Sequence, residues 1–125
     1  MDVSELKSRK GVVKVSHEFI FNPDVKTLLL DKLYIVRAES LYMEGVVEYW
    51  AYCEGFEAMP AGYETPKYIA SFGYGEGRVV SVDLVPECCW EFYTDLKAGL
   101  ITEEKYRELR SLTVQGKFTK ANTNT

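Results

Sequence analysis

Residues 33–53 read LYIVRAESLYM, then Glu44-Gly45, then VVEYWAYC. The first run sets Leu33, Ile35 and Leu41 against Tyr34, Val36 and Tyr42, which places bulk on both faces of an extended strand. Glu44-Gly45 is a hairpin signal, and residues 46–53 form the richest β segment of the chain. Two such runs around a tight turn predict an antiparallel hairpin, and the remaining segments are read outward from it.

Upstream, residues 12–21 (VVKVSHEFIF) begin by alternating, with Val13, Val15, His17 and Phe19 on one side of a strand. Asn22-Pro23-Asp24 breaks that run, because proline cannot donate to a ladder and Asn and Asp favour turns. Residues 25–30 fit a short helical turn or a strand, and periodicity does not decide between them. Downstream, residues 54–66 (EGFEAMPAGYETP) have the glycines, prolines and acids of a long connection, yet embed Phe56, Met59 and Tyr63. Either the segment folds back onto the sheet or it presents those groups to a partner. A short chain needs the apolar cover, which favours fold-back.

Two further strands are expected at 68–72 and 78–85, joined by Gly73-Tyr74-Gly75-Glu76-Gly77. This glycine pattern lacks a following helix whose N-terminus could hold a phosphate, so it reads as a hairpin turn. After Pro86 the period becomes helical. Cys88 or Cys89, Phe92, Leu96 and Leu100 share a face, Gly99 stands where a left-handed C-terminal residue belongs, and Thr102 is placed to cap a second helix. The expected architecture is α+β: an antiparallel sheet of about five or six strands closed on one face by two C-terminal helices. It forms one domain over residues 1–114, strand-rich at 12–85 and a helical hairpin at 87–112, with a polar tail at 115–125.

The chain has 125 residues, 46% hydrophobic and 27% charged, which fits one globular domain with a real core. No apolar run is long enough to span a membrane, and residues 1–10 lack the apolar stretch of a secretory signal. Three cysteines, two of them adjacent, do not make a disulfide framework, and a reduced cytoplasmic compartment is the expectation. The net charge of −4 is uneven. Residues 38–96 hold eleven acids against two bases, Lys67 and Arg78, which argues against nucleic acid as a partner.

A catalytic constellation is hard to assemble. His17 is the single histidine. Cys88 or Cys89 near a helix start could serve as a nucleophile only if His17 met it, and core packing is the simpler reading of all three cysteines. Glu44, Glu48, Glu54, Glu57 and Glu64 show no metal-binding spacing. The sequence therefore assigns no catalytic residue, metal site or cofactor. What stands out is nine tyrosines, six phenylalanines and two tryptophans. Trp50, Tyr52, Phe56 and Tyr63 are candidates to stack on a ligand ring, with Arg37, Arg78, Arg107 and Arg110 as phosphate partners.

Residues 96–106 (LKAGLITEEKY) resemble the short C-terminal helical-hairpin modules of bacterial and phage proteins, which implies self-association or docking. In its layout of strands followed by two helices, the chain resembles the phage-encoded anti-Thoeris proteins. Those sequester cyclic-nucleotide-type immune signals at subunit interfaces without catalysis. The resemblance implies a non-catalytic homo-oligomer that binds a small phosphorylated ligand in a host cytoplasm. Two other readings stay open: an inhibitor whose acidic middle docks on a host enzyme, and a small cysteine/histidine enzyme.

Overall fold

The computed structural model describes residues 2–117. Five strands, β1 (Lys10–Ser16), β2 (Tyr34–Leu41), β3 (Val46–Tyr52), β4 (Lys67–Gly75) and β5 (Arg78–Pro86), form one sheet in the order β2-β3-β1-β4-β5. A short helix α1 (Val3–Lys7) precedes the sheet, α2 (His17–Ile20) and α3 (Pro23–Leu28) separate β1 from β2, and α4 (Trp90–Lys97) and α5 (Glu103–Lys117) follow β5. The expected α+β class and the two terminal helices are present.

Two details of the expectation change. The sheet is mixed, because β1 pairs parallel with β4 while every other neighbour is antiparallel. β4 runs back beside the β2–β3 hairpin at the distance of one strand, and β1 fills the gap. Helices also cover the sheet from within the chain, before β2. Residues 12–21 do not continue as a strand past Ser16, because its antiparallel partner Val46 is the first residue of β3 and Gly45 beyond it belongs to the turn. Asn22 does more than interrupt a strand. Its side-chain oxygen accepts from the Asp24 and Val25 N–H groups, and Pro23 occupies the first helical turn, where its missing N–H costs nothing.

These helices cover one face of the sheet. Val13, Val15, Tyr49, Ala51 and Tyr68 pack there with Val25, Leu29 and Leu33, and Phe19, Ile20 and Leu28 fill the margin. Phe56, from the 53–66 connection, is 1% exposed and stacks on Tyr68 at 4.3 Å between ring centres, so this segment folds back onto the sheet. On the opposite face α4 lies over β4 and β5. The Tyr93 hydroxyl donates to Asp83 at 2.6 Å, and Val85, Tyr93 and Tyr106 pack together. Met59, Cys89 and Val114 close a third cluster that ties the connection to α5.

The turns behave as the sequence foretells. Glu76 and Gly77 both take positive φ, the signature of a two-residue hairpin turn matched to strand twist. Gly99, at φ 77°, ends α4, with the Leu100 N–H bonded to the Asp95 carbonyl. The Thr102 hydroxyl accepts from the Lys105 N–H at the start of α5. That helix runs to Lys117, past the expected start of the tail at residue 115, and residues 118–125 lie outside the described residues. No helix among the described residues is long and apolar enough to cross a membrane.

Gly11 on β1 sits under the Phe56–Tyr68 stack, and a Cβ built there meets both rings at 2.8 Å. Gly11→Ala is expected to lower unfolding free energy by about 1–3 kcal/mol, the usual range for overpacking. Denaturant titration checks this, and an unchanged midpoint would mean that the rings do not close over this position.

Candidate functional site

At the end of the sheet where β1 and β2 begin and β3 and β5 finish, the elements do not close on one another. An open cleft of about 1050 Å³ remains, with walls from the turn after α3, the 53–57 segment, β5, α4 and α5. Its floor is apolar, with Leu29, Phe56, Leu84 and Val85, and its rim carries Arg9, Lys32, Lys97 and Arg107 beside Asp31, Glu54 and Glu103. Tyr34, Tyr93 and Tyr106 add ring surface.

Arg110 organises the α5 wall. Its guanidinium donates to the Leu84 carbonyl at 2.9 Å and to the Gly55 carbonyl at 2.8 Å. The Nε atom lies 2.7 Å from a Glu57 carboxylate oxygen without hydrogen-bond alignment, so that contact is one of charge with charge. The guanidinium also lies over the Tyr68 ring at 5.9 Å. Tyr68 accepts from the Glu57 N–H at 2.7 Å, and burial pushes its hydroxyl up to about 12. Arg9 makes a similar tie, donating to the Phe56 carbonyl at 2.8 Å.

Three buried polar atoms at the cleft make no aligned hydrogen bond: Arg9 Nε, Arg110 Nε and the Tyr106 hydroxyl. Tyr106 is 7% exposed and lines the cleft, and its hydroxyl lies close to the Arg110 guanidinium without an aligned hydrogen bond. Burial raises its pKa even with the Arg110 charge nearby, so it stays a neutral donor and acceptor at ordinary pH. A buried hydroxyl left unsatisfied costs on the order of 1–3 kcal/mol, and a bound polar atom would recover that cost. Apart from Arg9, the rim cations are only loosely held. Lys97 lies 3.4 Å from Asp83 and Arg107 lies 3.7 Å from Glu103, both exposed, while Lys32 makes no ion pair among the described residues.

The candidates picked from sequence divide among several places. Phe56, Arg107 and Arg110 line the cleft, but Phe56 is locked in its stack and Arg110 in its carbonyl bonds, which leaves Arg107 open to a ligand. Arg37 and Trp50 sit together on the uncovered face of the β2–β3 hairpin, 5.8 Å from guanidinium to ring centre, and Arg37 bridges Glu39 at 2.9 Å. Tyr52 is half-buried at the end of β3, and Tyr63 packs with Met59 and Cys89. Arg78 pairs with Asp24 at the far hairpin. Sequence reasoning missed Arg9, Lys32, Lys97, Tyr34, Tyr93 and Tyr106. The open space before Tyr106 leaves no mark in the sequence.

Four of the eleven acids in residues 38–96 meet flanking bases: Lys14 bridges Glu44, Arg37 bridges Glu39, Lys97 bridges Asp83 and Arg110 meets Glu57. The cysteine/histidine pair is not assembled. The His17 ring bonds the Ser40 hydroxyl and meets Tyr42 edge-on, whereas Cys89 is fully buried with Met59 and Val114. Burial, with the Cys88 thiol adding, pushes Cys89 up to about 12. Among the described residues no group of three or more His, Cys, Asp or Glu is placed to hold a metal ion. No protein-family model matches this chain, and no curated protein or solved structure matches it either.

Tyr68 and Cys89 both bind their protons more tightly folded than unfolded, so the native state loses relative stability as pH rises. Their contribution is fully present below about pH 9 and is withdrawn progressively toward pH 12. Urea midpoints measured from pH 7 to 11 are expected to stay level and then fall. A midpoint that rises above pH 9 would contradict the burial of both groups.

Proposed function

We propose that this protein is a non-catalytic binding protein that holds a small phosphorylated, ring-bearing ligand in the cleft at the end of its sheet. The Tyr106 hydroxyl, buried without an aligned hydrogen bond in the lining of a cleft rimmed by Lys32, Lys97 and Arg107, carries this reading. The rim cations suit phosphate oxygens, exposed Tyr34 offers a ring face, and Tyr106 provides a buried polar anchor. Binding without turnover makes sequestration the natural role, and a nucleotide-type signal is the ligand class that joins phosphate to a stacking ring. A counter-defence setting, the one implied by the layout resemblance, adds cyclic nucleotides to the candidates.

Isothermal titration with nucleoside phosphates, linear dinucleotides and cyclic dinucleotides tests this. At least one ligand is expected to bind, with Arg107→Glu weakening it about tenfold or more through loss of a charge-assisted contact. Tyr106→Phe is expected to weaken the same ligand while the fold is retained. The ligand recovered after overnight incubation should be chemically unchanged. Absence of heat across the panel, or conversion of the ligand, would overturn the reading.

A further inference from the structure

The two edges of the sheet are finished differently. On β5 the outer edge is occupied by side chains: Arg110 donates to the Leu84 carbonyl, and the Asp24 carboxylate stands at the strand's start, paired with Arg78. Such plugs keep an edge from pairing with another chain. On β2 nothing comparable is present among the described residues. Seven of its eight residues are exposed and the last is half-buried, with Tyr34 at 60% and Val36 at 67%.

The ladder identifies the groups that β2 offers. The His17 N–H donates to the Gly45 carbonyl and the Cys53 N–H to the Arg9 carbonyl, so Gly45, Val47, Tyr49, Ala51 and Cys53 direct their backbone bonds toward β1. The alternate residues Val46, Glu48 and Trp50 therefore bond to β2, through Leu41, Glu39 and Arg37. Ala38 and Ser40 are left with N–H and C=O groups pointing away from the sheet.

We infer that β2 is a self-complementary edge on which a second copy of this chain pairs antiparallel about a two-fold axis at Ala38. In that register Ala38 exchanges both backbone bonds with Ala38 of the copy, and Arg37 stands directly opposite Glu39 of the copy, twice over by symmetry. Arg37 and Glu39 already share a face, where they bridge within one strand at 2.9 Å, and Arg37 is steadied over Trp50. Neighbouring registers lack this match. An axis at Glu39 sets that carboxylate against itself, an axis at Arg37 sets the guanidinium against itself, and an axis at Ser40 leaves both charges opposite uncharged side chains. The pairing also brings exposed Tyr34 and Ile35 toward Leu41 and Tyr42 of the copy. Because both copies carry the bulge between Ile35 and Arg37, the two-fold confines the regular ladder to residues 37–39 of each. The result is a continuous ten-stranded sheet with the Arg110-plugged β5 edges outermost.

Sedimentation equilibrium on the full chain, with no ligand added, reads this separately from the cleft. The wild type is expected to be dimeric at concentrations on the order of 100 µM, in the range of ordinary protein affinities. Arg37→Glu and Glu39→Arg are each expected to weaken the dimer about tenfold or more, and the double exchange to recover it. Ala38→Pro, which removes the outward N–H on an edge where proline is tolerated, should give a folded monomer by circular dichroism. A monomeric wild type, single variants as dimeric as the wild type, or a double exchange no better than either single would overturn the assignment. Dimerisation that survives Ala38→Pro would do the same.

Discussion

Arg110 is the point at which three parts of the chain meet. One guanidinium holds the carbonyls of Leu84 on β5 and Gly55 in the long connection, faces Glu57, and covers the ring of Tyr68. The Arg110 side chain is largely buried, at 15% exposure, so the charge works at low effective dielectric and its partners are not exchangeable for water. Breaking such an arrangement from one side strands the remaining charge, a loss that runs to about 3–5 kcal/mol in buried pairs. Without this tie, α5 would rest on its apolar packing through Tyr106 and Val114, and the connection would be held by Arg9, the Phe56–Tyr68 stack and the Met59 contacts alone.

The same tie explains why a cleft exists at all. The chain leaves β3 at the end where β1 begins and must pass β1 to start β4 on its far side. The connection folds back across that end, dropping Phe56 onto the Tyr68 face and Met59 onto the other, so one segment serves both layers. Arg110 and Arg9 hold its carbonyls at Gly55 and Phe56 from two sides. The segment is thus rigid at its middle while the ground between it, α4 and the turn after α3 stays open, leaving the Tyr106 hydroxyl buried without an aligned hydrogen bond. Binding in a preformed cleft of this kind loses little to reordering.

Much of this layout is legible in local chemistry. The hairpin at 33–53, the glycine turn at 73–77 and the Gly99–Thr102 junction follow from turn and capping preferences that act over a few residues. The parallel β1–β4 pair is a different matter, since its register depends on segments more than fifty residues apart and leaves no local mark. The helices after Ser16 are an intermediate case. The Asn22-Pro23 signal is a good helix start as well as a strand stop, and only the start of β3 at Val46 decides which reading applies. Arg110 reads in sequence as a cation near a helix end, a place where the dipole alone would justify it. Its role as a clamp becomes visible only when Leu84, Gly55 and Glu57 converge on it. Trp50 and Arg37 were separate candidates in sequence, one for stacking and one for phosphate, and they meet on the uncovered hairpin face and not in the cleft.

That separation defines the sharpest test of the account. Two surfaces combine arginine with aromatic rings, the cleft around Tyr106 and the open face around Arg37 and Trp50, and the ligand is assigned to the first. Amide chemical-shift mapping on the labelled full chain, during titration with the tightest-binding nucleotide, distinguishes them directly. The account predicts saturable shifts at Arg9, Lys32, Gly55, Lys97, Tyr106 and Arg107, with Trp50 and its neighbours on β3 unmoved. Shifts concentrated at Arg37, Glu48 and Trp50, with the cleft silent, would contradict it.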